Sequence, residues 1–403
     1  MKVKNIESIL TIDRLIFILM VLFVFDQLLP IYRILVWSRL IQLFTVTLLF
    51  LLIVKIINKR MLILIPITLM YALNLIYVGF FDASNFILYI YGILISFIPV
   101  LFFLNYRNNY RLKSKIMLIV NFTLITTIIT TIIGLSIYPE ASRVLATFSE
   151  KNDPTYVRYT SLNIGGFAFI YSLLPLIPLY FFLNSSKKKV INVLILFGIY
   201  IVTFMSQYTT AIVISMFVLL VILLTRVKTT KKVVICIFTV SVLLFMIIQY
   251  LNTFIYTFIS SIDSPIIQER LFVLYDIIIG NNYNQIGRLN LWMQSITVFI
   301  NHPILGGWTA NIQTYSEHSF ILDYLGKFGI LGLSILIFYY TSIYVYFYKC
   351  KENKKQGYIF LSFFATILIG ILNPVNSLLI MGFLVPTLIG IGEKNVYENS
   401  LGF

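Results

Sequence analysis

Apolar stretches about as long as a bilayer is thick recur along almost the whole chain, each closed by a short polar turn. A helix needs about 20 apolar residues to cross the roughly 30 Å of hydrocarbon in a bilayer. Such runs fall at about 14–32, 39–57, 61–80, 86–104, 116–135, 163–183, 190–206, 210–225, 233–252, 319–348, 357–373 and 376–392. Composition points the same way. The chain is 60% hydrophobic and 11% charged, with a mean hydropathy of +0.95, which excludes an ordinary soluble domain. The expected fold is all-α: a polytopic membrane helical bundle of about 12 transmembrane helices, forming one integral membrane domain over 1–403.

Charge sets the expected orientation. With both ends cytoplasmic, the outer side keeps eight basic residues: Arg33, Arg39, Arg143, Lys151, Arg158, Arg270, Arg288 and Lys327. The other 22 of the 30 lie on the inner side, as the positive-inside rule requires. The net charge of +15 is therefore mainly a topology signal. A nucleic-acid partner is not expected, because the basic residues are scattered between spans and not gathered on one surface. Cys236 and Cys350 imply no disulfide framework. The N-terminus shows no cleavable signal pattern.

Two outer segments are long. A smaller extracytoplasmic loop covers 136–162. A large, partly helical one covers 253–318, between the ninth and tenth spans. Function on a rigid helical scaffold concentrates in such loops. Asp26 and Asp82 lie near outer ends of spans and read as solvated interfacial anchors. Asp263, Glu269, Arg270 and Asp276 form no metal motif, and the chain has only two histidines, so neither a metal nor another cofactor is expected.

The stretch 285–333 concentrates the unusual residues. Leu289, Trp292, Met293, Ile296, Phe299 and Ile300 share one helical face; Asn290, Gln294, Thr297 and Asn301 share the other. That split predicts a helix lying at the membrane interface. Arg288 sits one turn before Trp292, where its guanidinium can reach headgroup depth. Pro303 and Gly306-Gly307 end the helix, and His302 reads as part of that helix end. His318 lies beside Glu317 and Ser319 at the outer mouth of the tenth span. On its residues alone, His318 is equally a proton acceptor or an interfacial cap. Further on, Asp323 and Lys327 are spaced as a helix pair. Gly326, Gly329 and Gly332 form a small-residue stripe suited to close helix packing.

The order Arg288-x-x-x-Trp292, then His302-Pro303-x-x-Gly306, then His318-Ser319-x-x-Leu322, then Gly329-Ile330-Leu331-Gly332-Leu333 resembles the O-antigen ligase and polymerase superfamily. The resemblance covers about fifty residues. It implies transfer of an oligosaccharide from a polyprenyl-diphosphate lipid to a sugar hydroxyl, at the outer face of a bacterial inner membrane. It implies His318 as general base and Arg288 as a catalytic cation, with Trp292, Ser319 and Glu317 supporting. The diphosphate would be held by Arg143 and Arg288, with Arg158 in reserve. Arg143 with Leu145, Phe148 and Asp153-Pro154 resembles the family pattern of the first long loop. A surface pairing of Arg143 with Glu140 or Glu150 is the alternative. Two positions depart from the pattern: Gln207 and Lys327 stand where an arginine and an acid are common.

The expected activity is polymerisation of undecaprenyl-diphosphate-linked repeat units of an O-antigen, capsule or exopolysaccharide. The expected partners are that substrate and membrane lipid, with a chain-length regulator and a flippase. The alternatives are a ligase that passes the glycan to another acceptor, and a twelve-span flippase. Charge-free span centres argue against transport. The long amphipathic outer loop and the glutamine at 207 favour the polymerase.

Overall fold

The structure is a computed structural model that describes residues 2–36, 38–57, 64–81, 97–102, 105–106, 109–147, 153–183, 189–225, 268–269, 271–272, 287–310, 312, 315, 318–349 and 353–375. Among these residues every regular element is helical. The helices are α1 (Lys2–Leu28), α2 (Tyr32–Leu35), α3 (Ser38–Ile57), α4 (Leu64–Phe81), α5 (Tyr110–Ile137), α6 (Ala141–Thr147) and α7 (Pro154–Ser161). Then come α8 (Phe167–Leu173), α9 (Leu176–Leu183), α10 (Lys189–Met205), α11 (Thr209–Thr225), α12 (Gly287–Asn301), α13 (Phe320–Lys349) and α14 (Asn353–Leu372). The expected spans at 233–252 and 376–392, and most of 86–104, lie outside the described residues.

Two of the helices, Arg111–Ile137 and Phe320–Val345, are long and apolar enough to cross a membrane. The segment expected at 163–183 is broken in two. Pro175 has no N–H to continue the helix, and Tyr171's carbonyl accepts from Leu174 N–H instead. The carbonyl of Pro175 is taken by Ser362 of α14. The helices pack around a common apolar core that includes Met20, Leu52, Phe97, Ile177, Ile199 and Tyr339, all essentially inaccessible. Large side chains such as Phe50, Phe122, Leu118 and Phe197 face outward. That is the expected inversion for helices whose outer solvent is lipid.

One end of the bundle is stitched by polar bonds between helix termini. Thr127 of α5 donates to the Leu28 carbonyl at 2.6 Å, closing the last turn of α1. Asn163, buried and at φ +57, accepts from Ile31 N–H at 3.2 Å and donates to Thr130 Oγ1 at 3.0 Å. Asparagine tolerates the left-handed conformation better than most residues, which suits it to this turn. Thr131 Oγ1 accepts from Gly165 N–H at 2.8 Å. At the same end, Phe320 N–H donates to the Asn373 carbonyl at 3.0 Å, joining the start of α13 to the end of α14. Residues expected on the outer side thus gather at one pole.

Candidate functional site

The first long loop folds into two short helices at this pole. Asp153 caps α7, accepting from Thr155 N–H at 2.7 Å and Tyr156 N–H at 3.1 Å. The Tyr156 amide, ahead of other causes, holds the Asp153 carboxyl below the usual carboxylate range. Tyr159 of α7 donates to Glu140 Oε1 at 2.7 Å, and that hydrogen bond raises the phenol's pKa. Glu140, one expected alternative partner of Arg143, is thus engaged by Tyr159.

Arg143 is half-buried on α6 and donates from Nη2 to the Gln207 carbonyl at 3.1 Å. Two neighbouring bonds hold α6 to the same turn. Tyr208 Oη donates to the Ser142 carbonyl at 2.5 Å, and Ser142 Oγ donates to the Ser206 carbonyl at 3.4 Å. Burial keeps the Tyr208 phenol protonated by pushing its pKa well up. Gln207 itself sits at φ +57. The structure therefore brings together Arg143 and the very position where the family pattern would put an arginine. Arg158 is placed differently. Its guanidinium donates to Tyr138 Oη at 2.5 Å and stacks 4.7 Å from the centre of that ring. It is exposed and points away from the α7 face carrying Tyr156 and Thr160, so the structure does not join it to Arg143.

α12 forms over the stretch where a helix was expected. It runs alongside the start of α13, with its backbone at Ser295 against Gly326, where a Cβ would meet the Ser295 carbonyl at 2.9 Å. Its buried stripe is Ser295 and Val298, while Met293 and Ile300 are exposed. The helical period is as expected, but the packing face is rotated. Small residues let the two backbones approach at this contact, while Trp292, Ile296 and Phe299 stay partly buried. Trp292 is partly buried, and its Nε1 is buried without a hydrogen-bond partner among the described residues. Arg288 occupies the first turn of α12. Glu317 lies outside the described residues.

The loop after α12 explains the spacing of its motif. His302 closes α12 through its N–H to the Val298 carbonyl at 2.9 Å, and its own carbonyl accepts from Gly306 N–H at 3.0 Å. The helix-end role expected of this histidine matches that geometry. α13 is broken at Gly329, which has φ +61 and ψ −156. The two amides freed by the break find new acceptors in the loop: Ile330 N–H donates to Pro303 O at 2.8 Å and Leu331 N–H to Ile304 O at 3.2 Å. The His-Pro and Gly-Ile-Leu-Gly segments are thus two halves of one backbone lock. A Cβ at Gly329 would meet the Ile304 carbonyl oxygen at 2.5 Å. Since that conformation is open essentially to glycine alone, Gly329→Ala should destabilise the protein by more than about 1–3 kcal/mol. Gly357→Ala, which meets nothing within 4 Å, should be nearly neutral. Thermal melts of the two detergent-purified variants check this; equal melting temperatures would refute it.

Ser319 is fully buried and acts as the N-cap of α13, its Oγ accepting from Leu322 N–H at 3.1 Å and donating to the Gly370 carbonyl at 3.3 Å. His318, one residue earlier, is exposed above this cap. Asp323 and Lys327, expected as a pair, each have a partner across a helix interface. Asp323 Oδ1 accepts from Ser295 Oγ at 2.6 Å, and the Lys327 ammonium lies 5.3 Å from the Tyr77 ring centre and 5.2 Å from that of Tyr315. Tyr315 donates to the Ile312 carbonyl at 2.8 Å. Burial, with Asp323 nearby, pushes its phenol up to about 12.

Between the two halves of this pole lies a cavity of about 330 Å³. Its walls come from the end of α1 (Asp26, Gln27), from α6 and α7 (Ala146, Tyr156, Thr160), from the head of α8 (Phe167 to Phe169) and from Val375 beyond α14. Asp26, expected to be solvated, is only 6% exposed. The end of α1 is walled in by α5 and the Asn163 turn, and Gln27 Nε2 donates to Asp26 Oδ2 at 2.7 Å. No sequence pattern announced this cavity. Among the described residues no three His, Cys, Asp or Glu side chains are grouped so as to hold a metal ion.

Apolar helices gathered beneath a polar, cavity-bearing pole define a helical membrane protein. Residues 191–337 match the family model described as O-antigen ligase, in keeping with the resemblance read from the 285–333 motifs. Members of that family are glycosyltransferase-like enzymes acting on lipid-linked oligosaccharides in the membrane. No curated protein matches the chain.

Proposed function

We propose that the protein is a polymerase of polyprenyl-diphosphate-linked oligosaccharide repeat units, working at the outer face of a bacterial inner membrane within a bundle of about twelve spans. The observation that carries this reading is the joining of Arg143 to the matched segment. That segment contains Gln207, Arg288, Trp292 and His318, and Arg143 bonds to it at Gln207. In this reading His318 takes the proton of an acceptor sugar hydroxyl. The oxygen forms a bond to the anomeric carbon of the donor as the bond from that carbon to the diphosphate oxygen breaks, with inversion. The polyprenyl diphosphate leaves carrying the bonding pair, and Arg143 and Arg288 stabilise its charge in a site of low dielectric. No metal is needed, because the guanidinium groups supply fixed positive charge and paired donors for phosphate oxygens.

The ligase reading keeps the same chemistry and changes the acceptor. The family's description favours it; the glutamine at 207 and the long 253–318 loop favour the polymerase. Gene deletion followed by analysis of surface glycan and lipid intermediates separates them. Loss of a polymerase leaves single repeat units on lipid or on the final acceptor. Long chains persisting on the polyprenyl carrier would mean a ligase. Repeat units trapped on the inner leaflet would mean a flippase.

A further inference from the structure

The helices that carry Arg288 and His318 at their heads are joined by a buried side-chain bond. Ser295 of α12 donates from Oγ to Asp323 Oδ1 of α13 at 2.6 Å, and both residues are buried. A hydroxyl donating to a carboxylate makes a charge-assisted bond, roughly twice as strong as one between neutral groups. The backbones touch at the same level, with the Ser295 carbonyl against Gly326. Further along, Pro303 and Ile304 accept from Ile330 and Leu331. Residue numbers rise together on both sides, so α12 runs parallel to the outer part of α13. Arg288 precedes Ser295 by two turns, about 10 Å at roughly 1.5 Å per residue, on the same helical face. His318 stands just before the Ser319 cap of α13. Both helix heads therefore lie outward of the Ser295–Asp323 bond. The lock at Pro303 and Ile304 holds the far end of α12 at one place. A second point, nearer the head, fixes the angle between the helices. Packing on Gly326 permits close approach but is not directional, whereas a hydrogen bond weakens steeply with misalignment.

We propose that Ser295 and Asp323 are positioning residues for glycosyl transfer: their bond sets the separation between the cation at the head of α12 and the base at the head of α13. Neither is asked to touch substrate. The inference rests on the reading of Arg288 and His318 as cation and base. A carboxylate buried between helices is weak evidence for stability, since apolar packing of the same volume is often at least as stable. What such a group supplies is a single register. A misplacement of about 1 Å can cost on the order of 10²-fold in rate, so the angle between two helices is enough to govern the reaction.

Transfer is measured in membrane vesicles holding the full chain and the cell's own lipid-linked donor and acceptor. It is expressed as turnovers per protein, well below the melting temperature of each variant. Ser295→Ala and Asp323→Ala should each lower turnover about tenfold to a hundredfold. Combining them should cost no more than the worse of the two, since they share one bond. Asp323→Asn keeps a carbonyl oxygen for the Ser295 hydroxyl and should recover most of the loss. In a His318→Ala background, Ser295→Ala should lower turnover by less than about threefold further, because groups that act as a unit are not additive. Ser362→Ala is the control. It removes another buried serine bond between helices, to the Pro175 carbonyl, and should leave turnover unchanged. Should Asp323→Ala not fold, Ser295→Ala and Asp323→Asn carry the same test. Unchanged turnover in Ser295→Ala overturns the positioning role and leaves the base reading standing. So does an equal loss with His318 present and absent, or an equal loss in Ser362→Ala. A wild-type rate in His318→Ala sinks the base reading, and the positioning role with it. Vesicles in which the unaltered chain transfers no sugar sink the glycosyltransferase reading and both roles together.

Discussion

His318→Ala should slow glycosyl transfer by about 10²–10⁴-fold while leaving donor binding intact. That is the usual worth of a positioned proton acceptor. The side chain is exposed at the head of α13, and the fold there is secured by its neighbour. Ser319 caps the helix and bonds to Gly370, while Phe320 bonds to Asn373. The helix start is thus held by bonds that do not use the imidazole, and a thermal melt beside the assay checks that a rate loss reports on chemistry. Single-turnover assays on purified protein with preloaded donor separate the two steps. Loss of donor binding with unchanged turnover of bound donor would remove His318 from the role of base.

Arg143→Ala should lower product formation at least 10²-fold, comparable to removing one donor from a charge-stabilising site. Arg143→Lys should recover only part of that loss, since an ammonium cannot offer the planar fork of a guanidinium. The bond to Gln207 supports the assignment in one respect: a backbone carbonyl orients the guanidinium without cancelling its charge. The same bond also ties α6 to the 206–208 turn, so the alanine variant needs a thermal melt beside its assay. Normal activity at normal stability would exclude Arg143 from the diphosphate site. Low activity with a melting temperature reduced to match would make it a structural tie.

Much of this architecture was legible in the residues. α3, α4, α10 and α11 begin and end close to the expected apolar stretches, because bilayer-length hydrophobicity and the polar turns between them are local signals. The two loop motifs around Arg143 and His318 also stand at the same pole, as alternating span direction requires. What escaped the sequence depends on partners distant along the chain. The packing face of α12 is centred on Ser295, whose backbone lies against Gly326 far along the chain. The break at Gly329 is stable because Pro303 and Ile304 offer carbonyls to the freed amides, and a glycine in an apolar run gives no sign of that. Asp26 read as solvated because nothing near it in sequence reveals that Thr127 and Asn163 wall in the end of its helix.

The cavity joins Asp26 and Gln27 to Val375, residues from the first and last described parts of the chain. That arrangement sets an order of events during synthesis. A helix leaves the insertion machinery early carrying the carboxylate, and most of the walls follow with α6 to α8. The closing wall arrives only when α14 has been made and has docked, drawing Asn373 onto the start of α13. Contacts so distant in sequence form late, because the entropy of closing the intervening chain must be met first. The α12 loop and the break in α13, by contrast, lie close in sequence and can lock as soon as both have emerged. A partly made chain would then hold its helix pair but no finished cavity.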